Sequence, residues 1–193
     1  MEDVDFVGEP PKPPSAGSLL VAAPLLPDPF RHAVIMLLEH DDSGTLGVVL
    51  NQRTGVDVGT VLPAWRDHLT GGPHLFQGGP VSLDTALGLA AADGEPDGFR
   101  RVAGSLGVID LDTPVDVLAP QLAAVRIYAG YAGWSPGQLD TELEEGAWAV
   151  IEPTDPVSDA FLADPDDLWQ VTLLRAGGTL AWWVNCPDDP SVN

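Results

Sequence analysis

VRIYAGYAGWSPGQLDTEL, residues 125–143, changes its period partway along. The first half, VRIYAGYAGW, is rich in β-branched and aromatic residues and reads as a strand. The second half reads as a helix start: Ser135 and Gln138 stand three apart as a capping box, and Pro136 suits a first turn because its missing N–H would be unpaired there anyway. That helix is expected to end near Gly146. Gly130 and Gly133 sit before the switch and permit positive φ or close backbone approach there.

Similar switches recur on both sides of this stretch. Upstream, SLLVAAP, HAVIMLLEH and TLGVVLN are short apolar runs separated by PDPF and DDSG. The second and third, joined by Asp41-Asp42-Ser43-Gly44, read as a β-hairpin, and their continuous apolar character predicts a sheet covered on both faces. Between residues 55 and 73, Pro63 leaves room for a short helix near Thr60 to Asp67. HLFQ at 74–77 reads as a strand, DTALGLAA is ambiguous between strand and helix, and ADGEPDGFR reads as a loop. VAGSLGVIDL reads as a strand region, followed by a helix from Thr113-Pro114 to about Ala124. Downstream, WAVIEP reads as a strand, Asp155-Pro156 opens a short helix, and Asp164-Pro165 opens a longer one that stops at Gly177. LAWWVN is expected to be a closing strand. Mixing strands and helices at this spacing argues for α/β or α+β and against an all-β fold.

Residues 1–16 pair acidic character with Pro10-Pro11 and Pro13-Pro14 and read as an extended arm, residues 17–186 as one domain without internal repeats, and residues 187–193 as a short tail. The chain has 193 residues, 45% of them hydrophobic, and a formal charge of −21 from 29 acidic and 8 basic residues. Such a charge repels a phosphate backbone, so direct nucleic-acid binding is disfavoured. The single cysteine, Cys186, excludes an intramolecular disulfide and a CxxC motif. With no signal peptide and no run of about 20 apolar residues, a cytoplasmic protein without a membrane span is expected.

Several groupings bear on chemistry. GYAGW, ahead of a helix amino terminus, reads either as a small anion pocket walled by Tyr131 and Trp134 or as a tight turn whose aromatics pack. Gly78-Gly79-Pro80 lacks both the P-loop lysine and dinucleotide spacing, and reads either as a backbone cradle beside His74 and Gln77 or as a turn or bulge. Glu39-His40-Asp41-Asp42 holds metal-ligand types, but neighbours on a hairpin point to different faces, so no metal site is assigned. No GxSxG elbow and no nucleophile–histidine pair stands at motif spacing, and acidic neighbours argue against a reactive Cys186 thiol. Arg31 and Arg53 are rare cations that either balance carboxylates or serve an anionic ligand.

The order GSLLVAAP, DPFRHAVIMLLEH, GTLGVVLNQ, FQGGPV and GYAGWSPGQLDTEL, followed by a Trp-containing strand, resembles the AlgH/YqgE family of bacterial proteins over about residues 17–176. The resemblance implies an α+β fold in which a bifurcated, mixed β-sheet forms a flattened pseudo-barrel with helices around it. One branch of that family is called a transcriptional regulator of alginate synthesis, and the acidity here argues against carrying this over as direct DNA binding. Where the family often has Leu-His after the GGPV strand, this chain has Leu87-Gly88-Leu89-Ala90, and where many members have a Cys before Glu-His it has Leu37-Leu38. Any role of that histidine or thiol is therefore absent.

The expected function is a non-enzymatic regulatory or adaptor role. It would act through a surface where GGPV and GYAGW meet, comprising Arg31, Asn51, Gly78, Gly79, Pro80, Tyr131, Gly133, Trp134 and Gln138. No catalytic residue, cofactor or metal is assigned, and the expected partner is a protein or a small anionic ligand. The alternative is a small-molecule sensor or enzyme holding an anion at the helix start near Ser135, with Arg31 or Arg53 in reach.

Overall fold

The structure, a computed structural model, describes residues 13–186. The arm read over residues 1–16 lies outside the described residues except for 13–16, and the tail over 187–193 lies outside them entirely. Strands β1 (Leu19–Ala22), β2 (Val34–Asp41) and β3 (Gly44–Val49) pair in antiparallel succession, and β10 (Trp148–Ile151) joins the free side of β1. On the other side, β3 meets the long β9 (Ala124–Trp134), followed by β6 (Val81–Ala91), β8 (Leu106–Ile109) and β7 (Phe99–Ala103). Off this path, β5 (His74–Gln77) runs parallel to β9 and carries β4 (Arg53–Asp57) on its far edge.

One edge of β9 is shared. Residues 127–129 take β5 in parallel, residues 132–134 take β3 in antiparallel, and the opposite edge takes β6. The sheet therefore divides at Gly130, which has φ +68°. Gly78 fills the fork: its N–H donates to Ala129 O, and its own carbonyl accepts Val49 N–H, both at 2.8 Å. A Cβ at Gly78 would lie 2.3 Å from Gly130 O, and one at Gly79 (φ +153°) would lie 2.2 Å from the Tyr131 carbonyl. No side chain fits between strands that close. The two glycine motifs are thus the two halves of one backbone crossing.

Three apolar clusters pack on this frame. Leu19, Val21, Val34, Met36, Leu38, Val48 and Leu50 face one way with Tyr128, beneath helix α3 (Leu168–Ala176). Leu20, Ala22, Ile35, Leu37 and Val49 face the other way with Ala132 and Trp134, beneath helix α2 (Gln138–Glu144). This is the two-sided burial that the continuous apolar runs predict. Val125 and Ile127 of β9 join Val58, Trp65, Leu75 and Leu118 in the third cluster.

Several local expectations need correction. DTALGLAA is strand, within β6. The region over 102–111 is a hairpin of β7 and β8, so Phe99-Arg100 belongs to a strand and not a loop. The helix expected over 113–124 shrinks to α1 (Val115–Leu118) and a 3₁₀ turn (Ala119–Gln121): Pro114 is extended at ψ 127°, and Pro120 has no N–H to continue the ladder. The short helix expected near Thr60 to Asp67 is two 3₁₀ helices, Val58–Thr60 and Pro63–His68. Asp155 caps its turn, accepting Val157 N–H and Ser158 Oγ–H, but the turn widens to a π-helix over Ser158–Leu162. The long helix starts at Leu168 rather than at Pro165. LAWWVN is a 3₁₀ helix (Leu180–Asn185), because Leu180, Trp183 and Val184 repeat with helical spacing and pack on the first cluster.

Gly79→Ala is expected to cost about 3 kcal/mol or more, because backbone must move to admit the Cβ. Gly137→Ala, at φ +73° with nothing within 4 Å of the added carbon, is expected to cost about 1 kcal/mol. Urea unfolding of both variants checks the contrast, and equal costs would overturn the assignment of Gly79 to a close crossing.

Candidate functional site

Val81 pairs with Tyr131 and Ala86 with Ala129, so five residues of advance on β6 meet two on β9. The surplus bulges outward. Ser82 takes φ +51°, a left-handed conformation unusual for a side chain other than glycine, and residues 82–86 are all exposed. Leu83 is 56% exposed, and its Cδ2 would lie 3.2 Å from a Cβ at Gly130, which places it beside the fork. Pro80 and Gly133 are exposed, and the half-buried Tyr131 ring lies over Gly133, 3.4 Å from where a Cβ would stand.

Trp134 belongs elsewhere. It is 5% exposed and packs in the second cluster edge-to-face with Trp148, at 5.9 Å between ring centres. Phe30 completes the aromatic group at 6.4 Å from Trp134 and 5.4 Å from Trp148. One carboxylate holds both indoles: Glu142 Oε2 accepts Trp134 Nε1–H and Trp148 Nε1–H at 2.8 Å each. Its other oxygen accepts Gln138 Nε2–H at 2.9 Å.

The helix start also differs from the expected box. Gln138 N–H donates to Ser135 O, and Gly137 has φ 73° and ψ −5°, so Ser135-Pro136-Gly137-Gln138 is a turn of type II character that precedes the helix. Half of the box survives, as Ser135 N–H donates to Gln138 Oε1. Beside this turn, a cavity of about 340 Å³ is lined by His40, Asp41, Asp42 and Asp140 together with Gly137 and Leu139. Three carboxylates there oppose the anionic ligand read for this helix start.

Arg31 and Asn51 lie on the β2 and β3 approaches. Asn51 is a brace: Oδ1 accepts Val34 N–H and Nδ2 donates to His32 O, both at 2.9 Å, fixing the turn after the cis Asp28-Pro29 bond. His32 stacks on Trp169, with ring centres 4.2 Å apart, and Arg31 is exposed on the same turn. Arg53 pairs with Asp166 at 3.1 Å and Asp164 at 3.5 Å. Among the described residues, no group of three or more His, Cys, Asp or Glu is placed to hold a metal ion. No helix among them is long and apolar enough to cross a membrane.

The structure thus brings Gly78, Gly79, Pro80, Tyr131 and Gly133 together, puts Trp134 and Gln138 on the second core and its cap, and leaves Arg31 and Asn51 on a separate turn. Sequence reasoning missed Leu83 and Ser82. DTALGLAA drew attention to the buried end of β6, and only the contrast between the four buried residues at 88–91 and the five exposed ones at 82–86 marks the bulge.

Comparison with known proteins matches residues 19–181 to a family described as AlgH-like. A UPF0301 protein of Streptomyces coelicolor is 55% identical, over 92% of this chain and 94% of that one. A crystal structure of a Corynebacterium diphtheriae protein is 32% identical and superposes with TM-score 0.82 over 90% of this chain and 93% of its own. The solution structure of the AlgH protein from Pseudomonas aeruginosa is 26% identical, with TM-score 0.66 over 91% and 98%.

Glu142→Ala leaves two indole N–H groups without an acceptor and is expected to destabilise the protein by about 2–4 kcal/mol. Near-ultraviolet circular dichroism should lose the tryptophan fine structure, and an unchanged spectrum with unchanged stability would refute the shared-acceptor role.

Proposed function

This chain belongs to the AlgH-like family, and on that footing we propose that it is a regulatory or adaptor protein that binds a protein partner on the fork face, at Pro80, Leu83, Tyr131 and Gly133. The observation that carries this reading is the five-against-two bulge. A bulge re-aims side chains, and a left-handed serine costs about 1–3 kcal/mol that packing must offset. Here that local cost supports no core contact for Leu83, which is turned outward beside a half-buried tyrosine and an exposed proline. An aromatic ring flanked by apolar groups suits the centre of a protein interface, where tyrosine is among the residues that dominate affinity.

Charge favours a partner whose rim is basic. The formal charge is −21, and the exposed Arg53, Arg66 and Arg100 and the half-buried Arg101 each pair with a carboxylate. Phosphate backbones are opposed by the same field. Electrostatic complementarity of this kind acts on association rate and partner choice more than on affinity.

A photo-crosslinking amino acid at position 83, compared in cells with one at the equally exposed Val117 on α1, tests this. A discrete adduct is expected at position 83 alone, weakened by Tyr131→Ala in a variant that remains folded. Identical adducts at both positions, or none at position 83, would defeat the reading.

A further inference from the structure

Helix α3 is apolar on more than the side it buries. Leu168, Trp169, Thr172 and Leu173 are buried, yet Val171 and Leu174, three apart on the outer side, are 48% and 58% exposed. A helix on the surface of a domain ordinarily turns polar residues outward, and one that is apolar all round belongs under cover. The same doubling recurs in the 3₁₀ helix Leu180–Asn185, which Gly177 and Gly178, at φ +69° and +57°, fold back against α3. Its Leu180, Trp183 and Val184 pack on the first cluster, and Trp182 stands outward at 77%, the most exposed large hydrophobic residue among those described.

These outer side chains are carried on an anchored frame. Trp169 Nε1–H donates to Ala22 O at 2.9 Å, and Arg175 grips the Asp159 carboxylate through Nη1 and Nη2. From β9, the buried Arg126 reaches the π-turn ahead of α3, its Nη1 donating to Ala160 O at 2.7 Å. Anchoring lowers the entropic cost of covering Val171, Leu174 and Trp182.

Charge sets this face apart. The chain has 29 acidic residues among 193, yet residues 168–186 contain none. Asp166 and Asp167 bound the face where α3 begins, and its one cation, Arg175, is already paired. Elsewhere exposed apolar residues keep acidic company: Val56, Leu83, Val117 and Leu162 each lie within two residues of an aspartate. A basic partner gains nothing from a face without carboxylates. A second copy of this chain is repelled by most of the surface, at −21 on each molecule, and here can be met without stranding a buried carboxylate. Depletion of charge with enrichment of aromatics is the composition of an interface core, and interfaces between identical subunits are the more apolar ones.

We infer that this face joins two copies of the chain about a two-fold axis, with Trp182 of each meeting Val171 and Leu174 of the other. A self-matching contact of this kind closes as a dimer. Three large side chains per copy make a small core, so the pair is weak and reversible. Pro80, Leu83, Tyr131 and Gly133 take no part in it, and the inference holds or fails separately from the proposed fork-face partner.

Sedimentation equilibrium of the full chain, up to on the order of 100 µM, tests this at about 0.1 M and about 1 M sodium chloride, where the screening length falls from about 10 Å to about 3 Å. A dimer is expected, tighter at the higher salt because two like-charged bodies then repel less; contact with a basic partner would shift the opposite way. Trp182→Asp and Leu174→Glu, both at exposed positions, are expected to keep the native circular dichroism and to weaken the dimer at least about 100-fold, whereas Leu83→Asp leaves it unchanged. A chain monomeric at both salts, a dimer that survives Trp182→Asp and Leu174→Glu, or one that Leu83→Asp dissolves would overturn the inference. So would a monomer whose Trp182 engages neutral phosphatidylcholine vesicles, since the face would then be a lipid contact.

Discussion

The architecture depends on the shared edge of β9. A strand edge offers one row of N–H and C=O groups, and here that row is divided between a parallel and an antiparallel neighbour. Both can be served only if the chains approach to backbone contact at the division. Gly78, Gly79 and Gly130 permit that approach, and the carbonyl and N–H of Gly78 complete the hydrogen bonding across it. From this one crossing, β9 sends Tyr128 into the first core, Ala132 and Trp134 into the second, and Val125 and Ile127 into the third. The bulge in β6 is the geometric counterpart, since the strand that follows Gly79 must regain register with β9 beyond the fork.

Much of this was legible in the residues. Unbroken apolar runs in β1, β2 and β3 required cover on both faces, and both faces are covered. The glycine motifs signalled close approach, although neither alone disclosed that its partner was the other. Failures arose where a local signal competed with a tertiary one. Thr113-Pro114 and Ser135-Pro136 carry cap chemistry, yet both prolines sit just outside their helices, because the chain must turn before α1 and α2 can begin. LAWWVN has strand composition, but a glycine pair at 177–178 folds it back on α3, where helical spacing buries more of it. Arg126 was passed over because a single arginine inside VRIYA is ordinarily read by its apolar neighbours.

Cations are scarce in this chain, and their placement is correspondingly informative. Arg53 fastens the β4 end to the segment before α3, Arg66 secures the 3₁₀ pair to Asp57, Arg100 links β7 to β2 through Glu39, and Arg175 grips the buried Asp159. Each clip joins segments distant in sequence or stabilises a turn, so the surface charge is strongly negative without being structurally idle. The Asp57 carboxyl shows the effect locally: hydrogen bonds from Arg66 and Gly59 hold it below the ordinary aspartate range.

The pairing of β1 with β10 sets a condition on how the chain can be made. Leu19 lies opposite Ile151, so the first strand of the sheet waits for the last. β2 and β3 can close as a local hairpin at once, but β3 then lacks β9 on its outer edge until residue 134 has emerged. At a synthesis rate of about 5–20 residues per second, the apolar strands LLVA, VIMLL and GVV remain without their final neighbours for on the order of ten seconds. Long-range closure of this kind makes folding slow and leaves strand edges open while it proceeds. A nascent chain with its most apolar strands first and their partners last keeps those edges open through that interval, and its heavy negative charge is a built-in deterrent to self-association meanwhile.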